Sequence, residues 1–212
     1  FGFMGSKEMQ TPNIDALTSE GVVFTDAHVA ATVSSPSRAC LITGRYGHRF
    51  GYECNLSDRT NGLPLEEETI AEVFKTNGYR TAAIGKWHLG SRDEQHPNNR
   101  GFDLFYGMKA GGRDYFYNEK KSDRPGDERN LLLNDRQVKF EKYLTDAFSE
   151  KAVEFINESS QPFMMYLAYN AVHTPMQATD EDMAKFEGHP RQKLAAMTYA
   201  LDRGVGTVIR GL

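Results

Sequence analysis

Two strand-sized segments, residues 80–84 and 163–169, each follow a stretch of helical periodicity and a turn, and this order constrains the fold more than any other feature. Ile70, Val73 and Phe74 recur at helical spacing over 67–76, Asn77-Gly78 stops the helix, and Arg80 to Ile84 reads as a buried strand. The succession repeats at 143–156, where Leu144, Phe148, Val153 and Phe155 mark a helix before the strand Phe163 to Tyr169. Helix, turn and strand in that order are the parts of a βαβ unit. The expectation is an α/β fold with a mostly parallel central sheet flanked by helices.

The remaining elements are read from local signals. Thr11-Pro12 followed by Asn13-Ile14-Asp15-Ala16-Leu17 predicts a helix stopped at Gly21, with a hydroxyl at the cap and proline in the first turn. Val22, Phe24 and the residues up to Val29 read as a strand. A short helix is expected from Pro36 to Ile42, ended by Gly44, and a last one from about Arg191 to the end. Between Ser91 and Arg136 charges, Gly and Pro are dense, with Phe102, Phe105, Tyr106, Tyr115, Phe116 and Tyr117 among them. This stretch, about 91–136, reads as a loop-rich excursion from the sheet: either a functional or mobile loop, or a solvated insertion packed by its own aromatics.

At 212 residues the chain fits one domain or a large piece of one. Hydrophobic residues make up 39%, enough for a packed core, which excludes a disordered chain. Lys plus Arg number 25 against 29 Asp plus Glu, so the basic excess that phosphate-backbone binding relies on is missing and nucleic acid is not an expected partner. No run approaches the ~18 consecutive apolar residues of a membrane helix, so no membrane span is expected. The chain opens on Phe1 without a basic-then-apolar leader, so any export sequence was removed or never included. Cys40 and Cys54 are too few for a disulfide scaffold and form no Cys-x-x-Cys pair, so both are expected as plain thiols.

Three clusters carry possible chemistry, and each lies just after an expected strand, where open α/β sheets collect ligands. In Ser34-Ser35-Pro36-Ser37-Arg38, proline at a first-turn position puts Ser34 just before a helix N-terminus that favours anions, and Arg38 can reach back to the same end. The plainer reading is a capped helix with solvated Arg38 and Arg45. In Gly85-Lys86-Trp87-His88-Leu89-Gly90, an extended chain would point Lys86 and His88 to one side about 7 Å apart, able to grip an anion together. A phosphate-binding P-loop is excluded, because six residues separate Gly78 from Gly85 and Trp87 follows the lysine. In Ala171-Val172-His173-Thr174-Pro175, His173 emerges at the end of an apolar strand that Pro175 prevents from continuing, a position more often structural than catalytic.

In order and wording these segments resemble formylglycine-dependent sulfatases of the alkaline-phosphatase-like superfamily. The family signature, Cys or Ser, any residue, Pro, any residue, Arg, then Thr-Gly-Arg, stands here as Ser34-Ser35-Pro36-Ser37-Arg38 and Thr43-Gly44-Arg45. The segments at 11–17, 21–27 and 85–90, and His173-Thr174-Pro175, are also similar to family segments, in the family's order.

The resemblance implies an alkaline-phosphatase-like α/β sandwich and hydrolysis of sulfate esters, arylsulfatase-like and acting on sulfated glycans or small sulfate esters. It implies that Ser34 is oxidised to Cα-formylglycine, whose hydrate is the nucleophile and also a metal ligand. Arg38 would hold the formylglycine, Lys86 would neutralise sulfate oxygens, His88 would assist the nucleophile's hydroxyl, and His173 would contact the sulfate or leaving oxygen. A divalent cation, usually calcium, completes the family's site. Its remaining ligands lie in segments before residue 1 and after residue 212, so residues 1–212 are expected to be part of a catalytic domain incomplete at both ends. Serine rather than cysteine at 34 resembles sulfatases matured by a radical iron–sulfur enzyme in bacteria, and implies an exported, periplasmic or secreted, protein. Arg113, Tyr115 and Tyr117 are candidates for shaping a leaving-group subsite, the tyrosines by stacking on a sugar. Two rival readings are a phosphatase or phosphonate-ester hydrolase of the same superfamily, with Ser34 unmodified, and a non-catalytic anion-binding pseudoenzyme.

Overall fold

The structure, a computed structural model, describes residues 1–55 and 62–212. In chain order the helices α1 (Pro12–Glu20), α2 (Ser34–Thr43) and α3 (Ile70–Thr76) precede the strands β1 (Arg80–Lys86), β2 (Leu104–Met108), β3 (Leu132–Leu133) and β4 (Arg136–Gln137). Helix α4 (Leu144–Asn157), strand β5 (Phe163–Ala168) and helices α5 (Asp180–Ala184) and α6 (Gln192–Gly211) complete the chain. The five strands form one sheet in the order β4-β3-β2-β1-β5. β1 runs parallel to both neighbours, pairing Ala82 with Leu104 and with Met165, while β3 and β4 extend the sheet as an antiparallel hairpin. The expected α/β architecture with a mostly parallel sheet is what forms.

β1 is central and buried on both faces, which is why its middle, Ala82-Ala83-Ile84, is apolar without alternation. Ala82 and Ile84 face one side, where Phe148 and Phe155 of α4 and Met197, Ala200 and Val208 of α6 cover them. Ala83 faces the other, against Ala39 and Ile42 of α2, Ala71 of α3, Trp87 and Phe102. Two core layers on one sheet thus fix β1, and with it the residues that leave its C-terminal end.

Local signals placed most elements to within a few residues. Helix α3 starts three residues later than its periodicity suggests because Thr69 and Glu72 form a reciprocal capping box: each side chain accepts from the other's backbone N–H. At α1 the expected hydroxyl cap is replaced. Thr11 makes no capping bond, and the buried carboxylate of Asp202 on α6 accepts instead from the Asn13 and Ile14 amides at 3.1 and 2.8 Å.

The expected strand at 22–29 does not form. Val22, Phe24 and Val29 are 83, 78 and 77% exposed, and no described strand pairs with this segment. β-branched residues favour a strand only where a ladder and a covering layer receive them. Residues 91–136 also differ from a pure loop excursion, because β2, β3 and the start of β4 lie within them. β2 escapes sequence reading because Leu104-Phe105-Tyr106-Gly107-Met108 is short, almost wholly buried and interrupted by glycine. The rest of the excursion is anchored by a fully buried Arg113–Asp123 pair at 2.7 Å and by the packing of Tyr115 on Tyr143 and of Tyr117 on Phe140. Cys40 is buried and Cys54 exposed, and both are free thiols. Among the described residues no helix is long and apolar enough to cross a membrane.

Candidate active site

The C-terminal ends of β1 and β5 and the N-terminal end of α2 converge on one open cleft of about 640 Å³, lined by Thr32, Ser34, Arg38, Lys86, Asn170 and His173 among others. Parallel strands carry their connections away at this edge, so side chains from separate parts of the chain meet there. Ser34 is the first residue of α2, one position further into the helix than expected, behind an extended Val33.

The Ser34 hydroxyl lies 3.0 Å from His88 Nδ1 and accepts from Arg38 Nε at 3.3 Å. Arg38 also donates through Nη1 to the Lys86 carbonyl at 2.8 Å and to the Tyr166 hydroxyl at 2.9 Å. Its guanidinium therefore ties α2 to β1 and β5 at once, a use of the planar fork that a single ammonium cannot reproduce. Lys86 is the last residue of β1 and is buried along the cleft wall.

The alternation expected for Lys86 and His88 does not hold. Trp87 and His88 still donate their amides to the Met108 and Lys109 carbonyls, each at 3.0 Å, but His88 has φ of 58° and leaves extended geometry. That left-handed turn, rather than strand alternation, aims the imidazole at Ser34. Gly85, one residue before Lys86, takes φ of 107°, and a Cβ there would strike the Ala168 carbonyl of β5. Only glycine lets the two strands approach this closely at the cleft.

Burial is the main reason that His88 is held down to about pKa 4, with electrostatic repulsion from Lys86, Arg38 and His173 acting in the same direction. Near neutral pH it is therefore an uncharged imidazole, suited to accepting a proton from an oxygen at position 34. His173 lies on the exposed turn after β5, its Nδ1 2.7 Å from the Thr174 carbonyl. Its backbone is fixed by Tyr115, whose hydroxyl takes the His173 amide at 3.0 Å and donates to the Asn170 carbonyl at 2.8 Å.

Arg113, Tyr115 and Tyr117 do not line the cleft. The Arg113 guanidinium is consumed by Asp123 and stacks over Phe140. Tyr115 is fully buried with its ring stacked on Tyr143, so no face is left for a sugar. Tyr117 packs edge-on against Phe140 and donates to Glu119. Aromatics in a loop-rich segment suggested a sugar platform, whereas burial turns them into the packing that holds the loop.

Sequence reading missed Ser35, Tyr52, Asn55 and Tyr166. The buried Ser35 hydroxyl contacts Tyr52 Oη at 2.5 Å and donates to the His88 carbonyl at 2.8 Å, while its amide donates to Asn55 Oδ1 at 2.9 Å. The only available signal was adjacency to Ser34, since the partners come from distant segments. Among the described residues no carboxylate lines the cleft, and no group of three or more His, Cys, Asp or Glu side chains is placed to hold a metal ion. The surroundings of Ser34 are cationic or neutral, so these residues do not by themselves fit calcium.

A family model described as Sulfatase matches residues 1–212. The uncharacterized sulfatase YdeN of Escherichia coli (strain K12) is 34% identical over 97% of this chain and 40% of its own length. Arylsulfatase G of Homo sapiens is 36% identical over 93% of this chain and 42% of its own length. The crystal structure of Ps i-CgsB in complex with k-i-k-neocarrahexaose shares 44% identity and a TM-score of 0.92, over 100% of this chain and 51% of that one. BT4656 in complex with its substrate D-glucosamine-2-N,6-O-disulfate shares 26% identity and a TM-score of 0.71, over 88% and 34%. The chain thus spans about two fifths of the length of these curated relatives and half that of Ps i-CgsB. These neighbours share the alkaline-phosphatase-like α/β fold, and with the family match running from the first residue to the last, the chain belongs to the sulfatase family.

Proposed function

We propose that this chain supplies the nucleophile position, the anion-binding cations and the proton-handling histidine of a sulfuric ester hydrolase that acts on sulfated carbohydrate. The observation that carries this reading is Ser34 Oγ between a neutral His88 and the Arg38 guanidinium, at the edge of a cleft that Lys86 and His173 also line.

Oxidation of Ser34 to formylglycine supplies a hydrated aldehyde, of which one oxygen attacks sulfur and the other re-forms the carbonyl to expel sulfate. A plain serine would be left as a stable sulfate ester. The oxidation removes two electrons and two protons from Cβ and Oγ, and a maturation enzyme of radical iron–sulfur type is the oxidant this reading calls for. His88 accepts a proton at Nδ1 from the oxygen at position 34. Arg38 holds that oxygen from the opposite side. Lys86 and His173 face the sulfate, where the fixed charge of Lys86 and a hydrogen-bonding imidazole offset charge that would otherwise need solvent. No step is assigned to a divalent cation, because the described residues place no carboxylate in the cleft.

Relatives with bound sulfated or carrageenan-type saccharides support carbohydrate as the substrate class. Serine at position 34 supports a bacterial source, and an exported, periplasmic or secreted, protein completes the reading.

The test is the peptide mass around Ser34 in the full-length protein co-expressed with a maturation enzyme, together with turnover of aryl sulfate and aryl phosphate. A loss of about 2 Da, for two hydrogens, with sulfate turnover is expected. An unmodified serine with phosphate turnover alone would replace this reading by the phosphatase one. An unmodified serine with no turnover and retained sulfate binding would leave the anion-binding pseudoenzyme.

A further inference from the structure

Gly111 and Gly112 follow the C-terminal end of β2 and pass directly against His88 and His173. A Cβ on Gly111 would stand 2.6 Å from His88 Cε1, 2.7 Å from Nε2 and 3.1 Å from Nδ1. Ordinary contact between such atoms begins at about 3.5 Å, so the imidazole and an added methyl group cannot share this space. A Cβ on Gly112 would stand 3.2 Å from His173 Nδ1 and 3.3 Å from Cε1, a milder conflict. Neither glycine is in the left-handed region, so backbone conformation does not demand glycine at either position. At Gly111 the three nearest atoms all belong to the His88 ring, so what the missing side chain accommodates is that ring.

The His88 backbone is held independently of this contact. Its amide donates to the Lys109 carbonyl at 3.0 Å and its carbonyl accepts from Ser35 Oγ at 2.8 Å. With both backbone groups tied, two of the groups that bound the ring are Ser34 Oγ at Nδ1 and the bare backbone of Gly111 along the Cε1–Nε2 edge. We propose that Gly111 is a positioning residue for the hydrolysis, the wall against which the His88 imidazole rests while it contacts Ser34, and that Gly112 does the same less tightly for His173. The proposal rests on the reading of the site given above. It also gives the excursion after β2 a role that its aromatic residues do not fill.

The test uses the matured full-length protein with Gly111→Ala, His88→Ala and the double variant. Because an imidazole at the end of a side chain can swing away, Gly111→Ala is expected to fold, with Tm within a few degrees of wild type. Its kcat for aryl sulfate should fall by about 10- to 100-fold, within the range of lost proton-transfer catalysis, with KM changed by less than about threefold. In the His88→Ala background the same substitution should cost less than about twofold, because the ring it displaces is gone. A crystal structure of Gly111→Ala should show His88 Nδ1 beyond hydrogen-bond reach of position 34.

If Gly111→Ala fails to fold while the double variant folds, the conflict with the ring is still established. Equal losses in both backgrounds, or a structure in which the added methyl is accommodated with the His88–Ser34 contact intact, would overturn the proposal. Absence of sulfate turnover in the wild type would sink the functional reading alone, since the crystallographic comparison decides the packing claim without it.

Discussion

His88 Nδ1 lies 3.0 Å from Ser34 Oγ although the two residues are 54 positions apart in the chain. The contact joins the start of α2 to the turn leaving β1, and the Ser35 hydroxyl on the His88 carbonyl reinforces it from the adjacent position. Nothing in either segment alone implies the distance. It follows from α2 and β1 packing against each other through Ala39, Ile42 and Ala83.

The depressed pKa of His88 makes stability depend on pH in a definite direction. Burial, aided by Lys86, Arg38 and His173, holds the folded imidazole at about 4 against an ordinary 6.5. As pH falls from 6.5 toward 4 the unfolded chain therefore takes up a proton that the folded one refuses, and stability drops across that window. With chelator present, the urea midpoint of wild type should fall more between pH 7 and pH 4.5 than that of His88→Asn. Equal falls would show that the group is not held neutral.

Arg38→Lys should cost about 100-fold in kcat/KM for an aryl sulfate, the scale of losing one preorganised donor at a developing charge. One ammonium cannot reach Ser34 Oγ, the Lys86 carbonyl and the Tyr166 hydroxyl together. Retention of activity within threefold would remove Arg38 from the site.

Tyr115→Phe should lower stability by about 0.5–1.5 kcal/mol, the scale of a lost hydrogen bond, because the Asn170 carbonyl and His173 amide lose the tyrosine hydroxyl but keep their own 2.9 Å bond to each other. It should weaken kcat/KM uniformly across sulfated substrates, by loosening His173. A change in substrate preference instead, measured on two sugars of different linkage, would restore the tyrosine to a subsite role.

Asp202→Ala should destabilise the protein by about 2 kcal/mol, since its carboxylate accepts from two amides at the N-terminus of α1. Thr11→Ala should cost less, as Thr11 makes no capping bond there. Thermal unfolding of the two variants checks the order, and the reverse order would return the cap to Thr11.

The architecture was legible wherever a local rule decides. Periodicity marked α3, α4 and β5, glycine ended α2, and the Ser34–Arg38, Lys86–His88 and His173 segments could be quoted as they stand. The strand expected at 22–29 failed because its apolar residues find neither a ladder nor a cover, and β2 went unread because five residues, four of them buried, carry no period. Ser35, Tyr52 and Tyr166 were invisible for a related reason: a buried hydroxyl is given its role by partners far away in sequence.

The sequence by itself determined the residue types at the cleft and the helix–turn–strand order that delivers them to one edge of a sheet, because periodicity, turn chemistry and motif spacing are local. Only the tertiary structure decided that His88 turns onto Ser34 through a left-handed residue, that Asp202 rather than Thr11 caps α1, and that Arg113 and Tyr115 belong to the core. Each depends on which surfaces pack together, and packing selects among orientations that local preferences leave nearly equal in energy.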